Sequence, residues 1–172
     1  VLGICNGFQV LVKAGILPDP ASAHGPQQVT LTYNDSGKFE DRWIWLRIVN
    51  GDRCVFTRGI DRLLHLPVAH AEGKFIARDE GILEVMENEG QVTLTYVDRE
   101  GRPAGYPWNP NGSTAGVAGV CDVSGRILGM MPHPERHVDP TQHPRWTREG
   151  LREEGDGLAI FRNGVRFARE NL

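Results

Sequence analysis

The sequence is poor in the features that mark specialised classes of protein. It has three cysteines, Cys5, Cys54 and Cys121, an odd number with no paired spacing. That argues against a disulfide framework and sets the expectation of free thiols in a reducing compartment, the cytoplasm. No apolar run reaches the length of a membrane span and no signal peptide is visible, so no membrane role is expected. Net charge is only -3 at pH 7, without the basic footprint that nucleic acid requires. No glycine-rich loop ends in Lys-Ser/Thr, so ATP chemistry is expected to lie outside this chain. No thiols stand at zinc spacing, and no resident metal is expected. What is present is ordinary: 172 residues, 40% hydrophobic and 24% charged, enough for one domain with a substantial core.

The first nine residues organise the rest. In Val1-Leu2-Gly3-Ile4-Cys5-Asn6-Gly7-Phe8-Gln9, a short apolar run meets one cysteine between two glycines, and a helical stretch follows. That is the layout of a nucleophile elbow, with a reactive side chain at a tight strand-to-helix turn. Side chains at Gly3 and Gly7 would crowd such a turn. A thiol at a helix N-terminus also sees the positive end of the helix dipole, which predicts a lowered pKa. By itself the pattern reads equally as a buried structural cysteine.

A second segment, Met131-Pro132-His133-Pro134-Glu135-Arg136, follows a strand-like run. Read as extended chain, it places His133 and Glu135 on one side, because side chains two apart share a face. Glu135 then orients the His133 ring, and His133 takes the proton of Cys5.

These two segments closely resemble the class I (triad) glutamine amidotransferases. Within them they resemble the subfamily that serves as the glutaminase component of phosphoribosylformylglycinamidine synthases. Three further stretches carry the same resemblance: residues 34–43 (NDSGKFEDRW), 67–73 (PVAHAEG) and 106–113 (YPWNPNGS). Asn34, Ser36, Phe39 and Arg42 match the subfamily pattern, whereas Ala71 stands where glycine is usual. The resemblance implies an α/β fold, a flavodoxin-like three-layer sandwich with the elbow at a strand's carboxyl end. It implies glutamine as substrate, Cys5 as nucleophile, His133 as base and acid, Glu135 as orienter, and the Asn6 N–H as one oxyanion donor. Gln9, Asn109, Asn111, Gly112 and Ser113 are implied to hold the substrate or shape its pocket. A synthetase subunit or fused synthetase domain, holding ATP and Mg, is the implied partner, with a small third subunit beside it. Related domains carry several strands and a second oxyanion donor before the cysteine, where this chain has four residues. The expectation is therefore a single amidotransferase domain over residues 1–172 that is N-terminally incomplete and lacks its first strands.

Other stretches are read from pattern alone. Phe8, Leu11, Val12 and Gly15 give the buried face of a helix that Gly15 ends. Residues 19–28, rich in Pro, Ala, Ser, His and Gly, form a loop. Strands are expected at 29–33, 43–49, 63–68, 82–86, 91–97, 117–123 and 126–131, with Val92, Leu94 and Tyr96 as the one buried face of their strand. Leu158, Phe161, Val165, Ala168 and Leu172 form the apolar stripe of a last helix, weakened at Gly164 by about 1 kcal/mol. His133, His137 and His143 are read as part of an irregular, solvated region rather than a metal site.

Alternatives stand beside these readings. Residues 34–37 also read as a solvated turn, 109–113 as a surface loop, and Gln9 as solvent-facing. His70 and Glu72 repeat the His-x-Glu spacing and form a rival base and orienter, ranked second to a plain strand-end pair or a partner contact. At the level of function, another triad amidotransferase or cysteine hydrolase, or a non-catalytic remnant binding a synthetase, remains open.

Overall fold

The computed structural model describes residues 1–19, 21 and 25–171. In chain order its elements are β1 (Leu2–Ile4), α1 (Asn6–Lys13), β2 (Val29–Thr32), β3 (Glu40–Ile48), β4 (Leu64–His70), β5 (Lys74–Ala77), α2 (Glu80–Asn88), β6 (Val92–Val97), β7 (Val117–Cys121), β8 (Leu128–Met130), α3 (Trp146–Glu149) and α4 (Leu158–Asn171). Six strands form one sheet in the order β1-β8-β7-β6-β3-β4, and β2 pairs with β5 in a separate antiparallel ribbon. β1 and β8 run parallel, with Gly3 opposite Gly129, and the other pairs in the large sheet are antiparallel.

Alternation along the strands divides the core between the two faces. Leu2, Ile4, Leu128, Met130, Leu94 and Tyr96 point to one face and pack with Ile44, Leu46, Leu64, Leu66 and Ile160 of α4. Phe8, Leu11 and Val12 of α1 pack on the other face with Val92, Val117, Val120, Met131, Phe75 of β5 and Met86 of α2. The result is a three-layer α/β arrangement, as expected.

Several elements depart from the pattern reading. Residues 82–86 lie in α2, not in a strand: Asp79 caps the helix by accepting the Ile82 N–H at 2.9 Å, and Ile82, Leu83 and Met86 then share one side. β5 was not anticipated. β6 is buried on both faces, Thr93 and Val97 included, because β7 and β3 flank it and helices cover both sides. α4 is turned away from the expected stripe. Ile160 is its buried anchor, Asn163 donates to the carbonyls of Phe56 and Arg58, and Gly164 lies against the Phe56 ring. Val165, from the expected stripe, is 53% exposed. Leu172, and Pro20 of the expected loop, lie outside the described residues.

Residues 137–155 are largely exposed and irregular, as read, but two histidines in them are not solvated. His137 and His143 are buried around the Trp43 ring together with His65. His143 Nε2 lies 2.9 Å from His65 Nδ1, and His137 Nδ1 donates to the His65 carbonyl at 2.8 Å. Among the described residues no group of His, Cys, Asp and Glu side chains is arranged to hold a metal ion, and no helix is long and apolar enough to cross a membrane.

The close approach of α1 to β1 and β8 positions the elbow. A Cβ at Gly3 would stand 2.4 Å from Leu11 Cδ1 and 2.8 Å from the Gly7 carbonyl oxygen, and one at Gly129 would stand 2.1 Å from the Phe8 ring. Gly7, by contrast, has open space around its missing Cβ, so only the first glycine of the elbow is sterically required. Gly3→Ala is expected to destabilise the fold by about 1–3 kcal/mol through overpacking. The urea unfolding midpoint should fall with an unchanged slope; an unaltered midpoint would show that α1 has room to move away.

Candidate active site

Cys5 sits between the end of β1 and the start of α1, with φ 51° and ψ -106°. Non-glycine residues adopt positive φ at a cost of about 1–3 kcal/mol, so surrounding contacts must hold it there. Its N–H donates to the Met130 carbonyl at 2.8 Å, and its carbonyl accepts the Gln9 N–H at 3.2 Å. Its Sγ lies 3.9 Å from the Ala69 carbonyl oxygen near the end of β4.

His133 follows β8, the strand parallel to β1. Its N–H donates to the Pro67 carbonyl at 2.9 Å, so Cys5 and His133 both rest on β4. The ring is buried, and Nδ1 lies 2.6 Å from Glu135 Oε1. With Nδ1–H donated to the carboxylate, Nε2 presents a bare lone pair, and Nε2 is buried without a hydrogen-bond partner. The expected pair is present, but not in the expected geometry. Residues 134–137 form a 3-10 turn rather than extended chain, and it is the turn that folds Glu135 back onto the ring.

The charges of Glu135 and Arg136 reach the Cys5 sulfur, and the Asn6 N–H is directed at it. The expected low pKa does not follow. Burial pushes the Cys5 thiol up, and this outweighs the hydrogen bond from the Asn6 N–H and the pull of Arg136. The Cys5 side chain is therefore held as a thiol rather than a thiolate.

Residues 34–37 form the exposed turn the pattern suggested, apart from the buried Asn34, but residues 109–113 do not form a surface loop. Asn111 is fully buried and donates to the Gly73 carbonyl at 2.8 Å and to the Tyr96 hydroxyl at 3.2 Å. The Ser113 hydroxyl donates to Asn111 Oδ1 at 2.7 Å and accepts the Phe75 N–H at 2.9 Å. Asn109 Oδ1 accepts the Gly112 and Ser113 N–H groups at 3.1 and 3.2 Å. Residues 109–113 thus form an internal brace between β5 and Tyr96, expected from the pattern as a buried residue but not as a partner of this loop, and burial raises the pKa of its phenol well above the usual range.

Asn34 is buried too, whereas Ser36 and Phe39 are exposed and Arg42 pairs with Glu40 and the Tyr106 hydroxyl. The His-x-Glu rival does not assemble: the partner of His70 Nδ1 is Asn34 Oδ1 at 3.1 Å, and the Glu72 side chain is exposed. Gln9 is half-buried and donates through Nε2 to the Glu72 carbonyl at 2.6 Å, beside a cleft of about 520 Å³ that Asn6 and Leu31 also line.

The chain matches the family model for the CobB/CobQ-like glutamine amidotransferase domain over residues 1–168. It is 53% identical, over 99% of its length, to the phosphoribosylformylglycinamidine synthase subunit PurQ of Dehalococcoides mccartyi, and spans 64% of that relative. It is 42% identical, over 83% of its length, to the phosphoribosylformylglycinamidine synthase of Drosophila melanogaster, of which the matched part is 11%. Among solved structures it resembles a chain of PurLQS from Thermotoga maritima, with a TM-score of 0.66 and 28% identity, covering 97% of this chain and 61% of that one.

A thiol raised by burial has a checkable signature. Site-resolved alkylation of Cys5 by iodoacetamide is expected to keep accelerating as pH passes the unperturbed thiol value of 9.0. A rate that levels off below about pH 8, the lower side of the ordinary thiol range, would mean that the helix dipole prevails.

Proposed function

The chain belongs to the CobB/CobQ-like glutamine amidotransferases, and from that membership we propose that it hydrolyses the side-chain amide of glutamine for phosphoribosylformylglycinamidine synthase. The observation that carries the reading is the buried His133 ring, bonded to Glu135 through Nδ1 and bare at Nε2, beside the strained elbow of Cys5.

In this reading Cys5 Sγ attacks the carboxamide carbon of glutamine while His133 Nε2 takes the thiol proton. The C=O π electrons move to oxygen, and the Asn6 N–H donates to that oxyanion. His133 passes the proton to the departing nitrogen, the C–N bond breaks, and ammonia leaves a glutamyl thioester. Water then attacks the thioester with His133 again as base, and glutamate is released as the C–S bond breaks. Glu135 keeps Nδ1 protonated and stabilises the imidazolium between the two transfers. Loss of one oxyanion donor typically lowers the rate on the order of 10²–10³-fold, so the Asn6 N–H calls for a second donor beside it. A single amidotransferase domain over residues 1–172 is part of the proposal, and the family match over residues 1–168 supports it.

Ammonia is passed to a synthetase, as a separate subunit or a fused domain, where it converts formylglycinamide ribonucleotide to formylglycinamidine ribonucleotide. The partner holds ATP and Mg, and a small third subunit completes the assembly. The names of the bacterial and fly relatives support the two arrangements, separate and fused. A cytoplasmic location fits the three free cysteines.

Cys5→Ala, assayed with the synthetase partner, is expected to abolish glutamine-dependent turnover. Turnover supported by added ammonia should persist, and the unfolding midpoint should change little. Glutamine hydrolysis persisting in that variant would refute the nucleophile assignment.

A further inference from the structure

The hydrogen-bonding roles of Asn34 are all fixed. Its Nδ2 donates to the carbonyls of Lys38 and His70, at 2.9 and 2.8 Å. Its Oδ1 accepts the Gly73 N–H at 3.1 Å. The amide cannot be turned over without losing all three, so the atom facing His70 Nδ1 is an acceptor. His70 Nδ1 therefore carries the proton, and Nε2 is a lone pair. The residue is only 4% exposed, and Nε2 has no hydrogen-bond partner. Buried polar groups in native folds are paired almost without exception, so this atom calls for a donor.

The ring is fixed in place beside the catalytic groups. His70 ends β4, the strand whose Pro67 carbonyl holds His133 and whose Ala69 carbonyl meets Cys5 Sγ. His133 is near enough for its charge to reach His70. A Cβ at Gly73 would stand 2.3 Å from His70 Cε1, and the Gly73 carbonyl is in turn bound by Asn111, so the ring lies flat against a braced backbone.

Resting on the glutaminase reading, we propose that His70 Nε2 accepts an N–H of the substrate carboxamide and makes the site prefer glutamine to its product glutamate. A carboxamide offers two N–H donors where a carboxylate offers only lone pairs. An imidazole with Nδ1–H committed to Asn34 accepts at Nε2 and repels a carboxylate oxygen. A site built to receive an N–H discriminates strongly against a ligand that lacks it. Burial, with the His133 charge next in weight, draws the His70 pKa down to about 4, so the ring is neutral where the enzyme works.

The test uses the enzyme assembled with its synthetase partner and compares KM for glutamine with the inhibition constant of glutamate. In His70→Ala the ratio of the two is expected to shift against glutamine by roughly tenfold or more, with kcat changed less than KM. Parallel changes in both constants, or none, would overturn the proposal and leave the glutaminase reading intact. Absence of glutamine hydrolysis in the unaltered enzyme would overturn both. Should His70→Ala fail to fold, ¹⁵N NMR of the ring in Cys5→Ala decides the matter. The expected result is the Nδ1–H tautomer, with an Nε2 resonance that moves on adding glutamine and not glutamate. An Nε2–H tautomer, or equal responses to the two ligands, would overturn it.

Discussion

The site depends on one parallel strand pair, β1 against β8. Parallel strands present their carboxyl ends at the same edge of a sheet, and that edge is where ligands bind in α/β folds. Here β1 ends in Cys5 and β8 runs on through Met131 and Pro132 to His133. The Cys5 N–H donates to the carbonyl of Met130, the last residue of β8, so one hydrogen bond ties Cys5 to the strand that delivers His133. The paired glycines, Gly3 and Gly129, let α1 lie close enough to hold Cys5 in its left-handed conformation. Strain at the apex is thus balanced by packing around it rather than by any contact of the thiol itself.

A second constraint comes from polar groups that cannot reach water. Asn34, Asn111, Ser113 and Tyr96 are buried, and they satisfy one another and the backbone at Gly73 and Phe75. Removing one member leaves the others unpaired at about 1–3 kcal/mol each, which makes the network rigid as a unit. It fixes residues 70–75, the stretch that carries His70 and touches Gln9 through the Glu72 carbonyl. Rigidity here has a chemical use. A site that discriminates by hydrogen bonding works only if its acceptors hold their positions when the wrong ligand arrives. The raised pKa of Cys5 suits the proposed role of His133: burial keeps the thiol protonated, so a base is needed to remove the proton.

Much of this was legible in the chain. Cys5 between two glycines, the His133–Glu135 spacing and the apolar positions Phe8, Leu11 and Val12 are local signals, and local signals survive folding. Most of the misreadings turned on tertiary context, and the one at residues 82–86 turned on a local cap. Residues 82–86 have the composition of a strand, and the cap from Asp79 decides for helix. In α4 two apolar stripes compete, and the Phe56 ring against Gly164 selects the one holding Ile160. The run 109–113 looks like a surface loop because its residues are polar. Its partners at Gly73 and Phe75 are 38 residues earlier, so nothing nearby in sequence reveals that they are satisfied inside. Asn34 and His70 are likewise 36 residues apart, and only their contact shows which nitrogen of the ring is free.

The most direct measurement is intact-mass labelling with a glutamine-like diazoketone, performed on the chain with its synthetase partner, with and without excess glutamine. One adduct on Cys5, suppressed by glutamine, is the expected result. It would mean that nucleophile and glutamine pocket are one site. Labelling that glutamine does not suppress, or that falls on Cys54 or Cys121 instead, would contradict the assignment of this elbow as a glutaminase centre.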